Sequence, residues 1–170
     1  MQNLKELIPT YEDFPKKGIA FKDILEVLQD PIIFKEIVKN MSRSKFIENS
    51  EAIIAIDSRG FIFGAAISLF TSKPIIFARK SGKLPGDLIE EEYDLEYGKD
   101  SLSIQKKALN KYNSFVIVDD LIATGGTVKC VDNLLKKCKK KLVGVLVVIE
   151  LVELDARKKL SFPLESVLAI

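Results

Sequence analysis

Continuous apolar runs punctuate this chain at intervals. The segments 52–57 (AIIAID), 74–79 (PIIFAR), 115–120 (FVIVDD) and 142–150 (LVGVLVVIE) are rich in Ile and Val and lack polar alternation. That is the pattern of strands covered on both faces. A shorter fifth strand is expected at the end, in SVLAI. Between the runs the apolar period changes to that of helices. In DPIIFKEIVKNM, Asp30 is placed as an N-cap and Pro31 at the first helical position, with Ile33, Phe34, Ile37, Val38 and Met41 on one face. GFIFGAAISLF follows the first strand, and GTVKCVDNLLKKCKK follows the third with a stripe of Val128, Val131, Leu134, Leu135 and Cys138. Strands alternating with helices predict an α/β fold, a doubly wound, mostly parallel sheet with flanking helices. No repeat or linker divides it, so 1–170 is read as a single domain.

The alternation fails at 79–100, RKSGKLPGDLIEEEYDLEYGKD, where Gly82, Pro85 and Gly86 precede an acidic run. A connection this long is expected to be a functional lid, placed at about 80–97, or else a surface hairpin whose acids are merely solvated.

Composition narrows the chemistry. At 170 residues, 47% apolar and 29% charged, the chain suits one globular domain. Its longest apolar runs fall short of the roughly 20 residues that span a bilayer. The first residues, MQNLKELIPTYEDF, contain no apolar signal core, so a cytoplasmic protein without a membrane partner is expected. A net charge of +2 gives no global field for nucleic acid, and the one basic cluster, KKCKKK, reads as the solvated C-terminal end of a helix. Cys130 and Cys138 lie two turns apart on one helix, which suits packing rather than a metal or redox pair. The sequence contains no histidine. Ser-His and Cys-His nucleophilic systems and the HExxH zinc site are therefore excluded. Carboxylates, lysines, arginines, hydroxyls and backbone amides must carry any reaction.

The densest candidate site is VIVDDLIATGGTV, 116–128. In parallel α/β sheets ligands bind beyond the carboxyl ends of the strands, where this segment delivers Asp119 and Asp120. The turn Ala123, Thr124, Gly125, Gly126 and Thr127 then leads into a helix. Its glycines allow close backbone approach, and the free amides of the helix start favour an anion. No Lys follows the glycines, so this is not a Walker loop. It reads as a monophosphate cradle. The two acids would repel a phosphate but accept hydrogen bonds from hydroxyls, so a sugar diol attached to that phosphate, a ribose 5-phosphate, satisfies both halves. After the first strand comes SRGF, where Arg59 sits just before a helix. A cation there is unfavourable by the dipole and calls for an anionic partner.

With these residues in place, VIVDDLIATGGT resembles the 5-phosphoribosyl-1-diphosphate (PRPP) motif of type I phosphoribosyltransferases. DFPKKGIAFKDI, DSRGFIFG, RKSGKLPG and LEYGKDSLSIQ, in order along almost the whole chain, are similar to the adenine phosphoribosyltransferases. The resemblance implies adenine plus PRPP giving AMP plus diphosphate, a purine salvage reaction, with Mg²⁺ bound through PRPP and no direct side-chain ligand, in a homodimer. It implies a base-binding hood at about 1–30. There Phe21 and Leu121 would sandwich the purine, the backbone around Ala20 would read the exocyclic amine, and Lys22 would stand where the family often has Arg. Asp57, Ser58, Arg59 and Lys80 would hold the pyrophosphate, across an Asp57–Ser58 cis peptide. Lys80, Lys83 and Tyr97 would belong to the lid, and Glu96 would handle the base proton. Catalysis would rest on Glu96, Arg59, Lys83 and Tyr97. A 6-oxopurine phosphoribosyltransferase and a PRPP- or nucleotide-sensing regulator remain as alternatives. The first would favour a Lys or Arg donor at the O6 edge, the second an added nucleic-acid surface.

Overall fold

The computed structural model describes residues 4–14, 16–95 and 98–170. A short antiparallel pair opens the fold, β1 (Thr10–Tyr11) with β2 (Phe21–Lys22), flanked by 3-10 turns at Leu4–Leu7 and Leu25–Gln29. Then follow α1 (Pro31–Ser42), α2 (Lys45–Glu48), β3 (Ala52–Ile56), α3 (Gly60–Thr71) and β4 (Ile75–Lys80). A hairpin of β5 (Leu88–Leu95) and β6 (Gly98–Gln105) leads through α4 (Lys106–Leu109) to β7 (Ser114–Ile122) and α5 (Gly126–Lys137). The chain ends with β8 (Lys141–Glu150), a 3-10 turn at Val152–Leu154, α6 (Ala156–Lys159) and β9 (Leu164–Ala169).

The main sheet has the order β5-β6-β4-β3-β7-β8-β9. β4, β3, β7, β8 and β9 are mutually parallel, while β6 runs antiparallel to β4 and β5 antiparallel to β6. The expected doubly wound sheet is therefore present, including the closing strand. Alternate residues of the central strands face opposite layers. Ile54, Ile117, Val145 and Val147 pack with Val128, Val131, Leu134 and Leu135 of α5. Ile53, Val116, Val118, Leu146 and Val148 pack with Ile37, Val38 and Met41 of α1 and with Phe63 and Ile67 of α3. Both faces are covered, which is why the strands read as unbroken apolar runs. Asp30 caps α1 as expected, its Oδ1 accepting from the amides of Ile32 (2.8 Å) and Ile33 (3.2 Å).

Of the segment 80–97, expected as a lid loop, residues 88–95 form β5. Glu90, Glu91 and Glu92 obscure an alternation in which Ile89 and Tyr93 pack on the α5 side of the core. The Cys130 thiol donates to Glu91 O at 3.3 Å, and Lys137 pairs with the Glu91 carboxylate. The hairpin thus rests on α5. Lys136, also in the basic cluster, pairs with the buried Asp132 at 2.5 Å in the last turns of α5. Among the described residues no helix is long and apolar enough to cross a membrane.

Candidate active site

The carboxyl ends of β3, β4 and β7 converge with the β1–β2 pair. Near its carboxyl end β7 carries Asp119 and Asp120, both buried within a central strand. Asp119 Oδ1 accepts from the Asp120 amide at 2.9 Å. Burial, reinforced by the adjacent Asp120 charge, pushes the Asp119 carboxyl well above the ordinary range. Asp120 is also raised by burial, against the opposing pull of Arg59. Arg59 Nε stands 2.8 Å from Asp120 Oδ2, yet that oxygen has no aligned hydrogen bond. The pair is an ion contact without directed donation. It leaves a buried acceptor of the kind a ribose hydroxyl can use.

Arg59 immediately precedes α3, and its guanidinium lies 5.2 Å from the centroid of the Phe21 ring. Phe14 meets the same ring edge-on at 5.2 Å. The Arg59–Phe21 contact brings the N-terminal strand pair to the sheet. The first residue of α3 must be glycine here. A Cβ on Gly60 would fall 2.7 Å from Asp119 Oδ1 and 3.0 Å from Val118 O, so α3 approaches β7 only because that atom is absent.

Beyond the acids, Gly125 adopts φ +83° and stands at the N-cap of α5, where no side chain caps the helix. The leading amides of α5 lack a side-chain acceptor and remain available to an anion. Ala123 and Thr127 are partly buried and Thr124 is exposed. The turn and helix start expected from ATGGT are formed.

On the other side the cations are already engaged. The Asp57–Ser58 peptide is cis. Asp57 Oδ2 accepts from Arg79 Nε at 3.1 Å, and Arg79 Nη1 donates to Lys83 O at 3.3 Å. Lys80 Nζ pairs with Asp100 Oδ2 at 2.9 Å. Tyr93 OH donates to the same oxygen at 3.4 Å and also reaches Thr127. Burial, with the Asp100 charge behind it, pushes Tyr93 up to about 12. Lys80, the Ser101 backbone amide and the Tyr93 hydroxyl hold Asp100 below its usual range against the cost of burial.

Arg79, Asp100 and Tyr93 were not singled out from the sequence. Arg79 carried a signal, a charge closing an apolar strand. Asp100 and Tyr93 gain meaning only through the hairpin register that sets them opposite each other. Ala20 is exposed, and Phe21 and Leu121 are partly buried. Lys22 Nζ donates to Thr10 Oγ1 at 2.6 Å across the β1–β2 pair, a contact within the hood itself. Glu96 and Tyr97 lie outside the described residues.

The phosphoribosyl transferase domain model matches residues 23–167, and the chain belongs to that family. It is 61% identical over 166 residues to an adenine phosphoribosyltransferase of Prochlorococcus marinus subsp. pastoris, covering 98% of this chain and 97% of the relative. Among solved structures it is similar to adenine phosphoribosyltransferase from Thermoanaerobacter pseudethanolicus, with 38% identity, TM-score 0.90 and 99% of both chains covered. It is also similar to the Saccharomyces cerevisiae adenine phosphoribosyltransferase complexed with an imino-altritol bisphosphate and adenine. There the identity is 34% and the TM-score 0.89, over 98% of this chain and 97% of that one. Within the family, the likeness to adenine phosphoribosyltransferases therefore runs the length of the chain.

Proposed function

We propose that this protein transfers the 5-phosphoribosyl group of PRPP to adenine, giving AMP and diphosphate. The observation that carries the reading is the buried Asp119–Asp120 pair, set between an uncapped helix start and a guanidinium stacked on Phe21. One ligand satisfies all three: its phosphate on 124–127, its diol on the acids, and its far end beside Arg59. The base then lies by Phe21 and Leu121, with the backbone near Ala20 reading its amine.

Breaking the ribose–pyrophosphate bond leaves positive character on the sugar and charge on the leaving group. Positioned cations and exclusion of water meet that need without histidine or a covalent nucleophile. Arg59, Arg79 and Lys80 supply the cations from around Ser58, and Lys83 and Tyr97 close over them. The acids fit a hydrated divalent ion on the ligand, being hard oxygen donors beside an anion. Mg²⁺ carried by PRPP neutralises diphosphate charge when bound. Glu96 takes the proton that adenine loses as the glycosidic bond forms, a transfer a carboxylate suits.

The site works in a homodimer. Support comes from α3, whose Ile62, Leu69 and Phe70 fall on one face with Leu69 86% and Phe70 55% exposed. A fully active monomer in micromolar sedimentation would refute this. Its localisation is the cytoplasm, where purine salvage draws on PRPP.

The decisive assay supplies PRPP and Mg²⁺ with adenine, hypoxanthine, guanine or orotate and reads nucleotide formation. AMP from adenine alone, abolished by chelation, is expected. Full activity with hypoxanthine and none with adenine would overturn the assignment.

A further inference from the structure

Beneath the proposed phosphate cradle, an ion pair that the reaction does not use joins a buried carboxylate to a half-exposed arginine. Glu150, 4% exposed at the end of β8, meets Arg157 of α6 in a two-pronged contact. Arg157 Nε donates to Glu150 Oε1 and Nη2 to Oε2, both at 2.7 Å. The third nitrogen, Nη1, donates to Leu164 O at 2.7 Å, and Ser166 Oγ donates to Glu150 Oε2 at 2.8 Å. One arginine thus ties α6 to β8 and β9 together. Burial acts to raise the Glu150 carboxyl, but the bonds from Arg157 and Ser166 outweigh it and hold the group below its usual range.

The consequence appears one layer away. A Cβ built on Gly125 would lie 3.2 Å from Leu160 Cδ2 and 3.7 Å from Ala156 Cβ. Those two residues bracket Arg157 in sequence, so the segment it fixes is the floor under the cradle. The same end of β8 also ties directly to the strand leading into the cradle, through Leu151 N donating to Ile122 O at 3.0 Å. With its arginine half exposed, the ion pair is a modest source of stability. Its planar fork, however, sets orientation at both partners.

We propose that Arg157 and Glu150 are positioning residues for the phosphate cradle, fixing α6 so that Leu160 and Ala156 brace Gly125 in its phosphate-binding conformation. This rests on reading 124–127 as the 5′-phosphate site. The phosphate bound there touches neither residue. The effect of losing them falls on ligands that carry that phosphate and spares the free base.

The test measures KM for PRPP, Kd for AMP, KM for adenine and kcat in Arg157→Met, Arg157→Lys, Leu160→Ala and the double variant Arg157→Met/Leu160→Ala. Arg157→Met and Leu160→Ala should each raise KM for PRPP and Kd for AMP about tenfold, the scale of a lost neighbour contact. KM for adenine and kcat should stay within about twofold. Arg157→Lys, which keeps charge but not the fork, should fall between. The double variant should be no worse than the poorer single, because both act through one contact.

A lowered melting temperature with unchanged KM for PRPP overturns the proposal, as do effects of the two substitutions that multiply. Should Arg157→Met fail to fold, Leu160→Ala leaves the ion pair intact and decides alone: unchanged affinity for PRPP overturns the proposal. A native chain that binds neither PRPP nor AMP refutes the proposed function itself. Unchanged variants of a chain that does bind them overturn only the positioning role.

Discussion

At the carboxyl end of β7 the groups proposed to face the ligand are backbone amides at the start of α5 and two buried acids. Across the sheet they are three long cations, each already held by a carboxylate: Arg59 by Asp120, Arg79 by Asp57 and Lys80 by Asp100. The first region is finished before any ligand arrives. Its donors are locked by the helix, and Gly125 is braced from below. In the second, an arriving pyrophosphate would compete with the acids for these cations, each of which meets its acid through a single nitrogen. Preorganised amides give affinity at no cost of rearrangement. Paired cations keep buried charges compensated while the site is empty. On the proposed reading, the phosphate end is an anchor, and the pyrophosphate end is where binding energy is converted into alignment.

The largest effect expected from this contrast is on the reactive side. Glu96→Gln keeps the side-chain shape and removes the titrating group, so kcat should fall by about 10²-fold or more with PRPP affinity little changed. A variant retaining most of its kcat would leave the proton to water.

The anchor should fail differently. Gly125→Val forces a branched side chain to φ +83° against Leu160. Backbone strain of about 1–3 kcal/mol corresponds to roughly 5- to 150-fold weaker binding of PRPP and AMP. Titration calorimetry with AMP reads it directly. Equal losses in adenine affinity would mean the whole site had moved.

Asp119 offers a test by stability. Its folded pKa is raised above the unfolded value of about 3.8, so the stability it contributes is full below that value and is lost as pH rises through the folded one. Asp119→Asn keeps the acceptor for the Asp120 amide and removes the charge. It should raise the melting temperature at pH 7 by about 3 °C or more, given 2–4 °C per kcal/mol at this size. The gain should vanish toward pH 4, and PRPP binding should be lost throughout. No gain at pH 7 would show that the charge is compensated within the site.

On the exchanging side, Asp100→Asn releases Lys80 to the ligand. Because the lysine is more than half exposed, such a pair is worth at most about 1 kcal/mol, so KM for PRPP should drop by up to about fivefold. An increase would mean that Asp100 aims Lys80 rather than detains it. The smallest effect belongs to Lys22→Arg. The side chain is spent on Thr10, so KM for adenine should change less than about twofold, within the usual range of surface substitutions.

The anchor was the more legible of the two regions. VIVDDLIATGGT announces itself because strand, acids, turn and helix are contiguous, and each local preference agrees with the fold. Arg59 was legible from its misfit with a helix start. Asp100 and Tyr93 were not, because they meet through a hairpin that three consecutive glutamates disguise, and the partner of Arg79 lies 22 residues away on the neighbouring strand end. The brace was hidden as well, since Glu150 and Arg157 look like ordinary charges in a strand end and a basic turn.

The sequence by itself determined the parallel sheet, its helices and the glycine turn that starts α5. Those follow from apolar period, capping and glycine conformation, which act over a few neighbouring residues. Only the tertiary structure decided which carboxylate each cation holds, that Gly60 must lack a Cβ beside Asp119, and that Leu160 lies under Gly125. These are contacts between segments distant in the chain, set by strand register and layer packing, and no local preference encodes them.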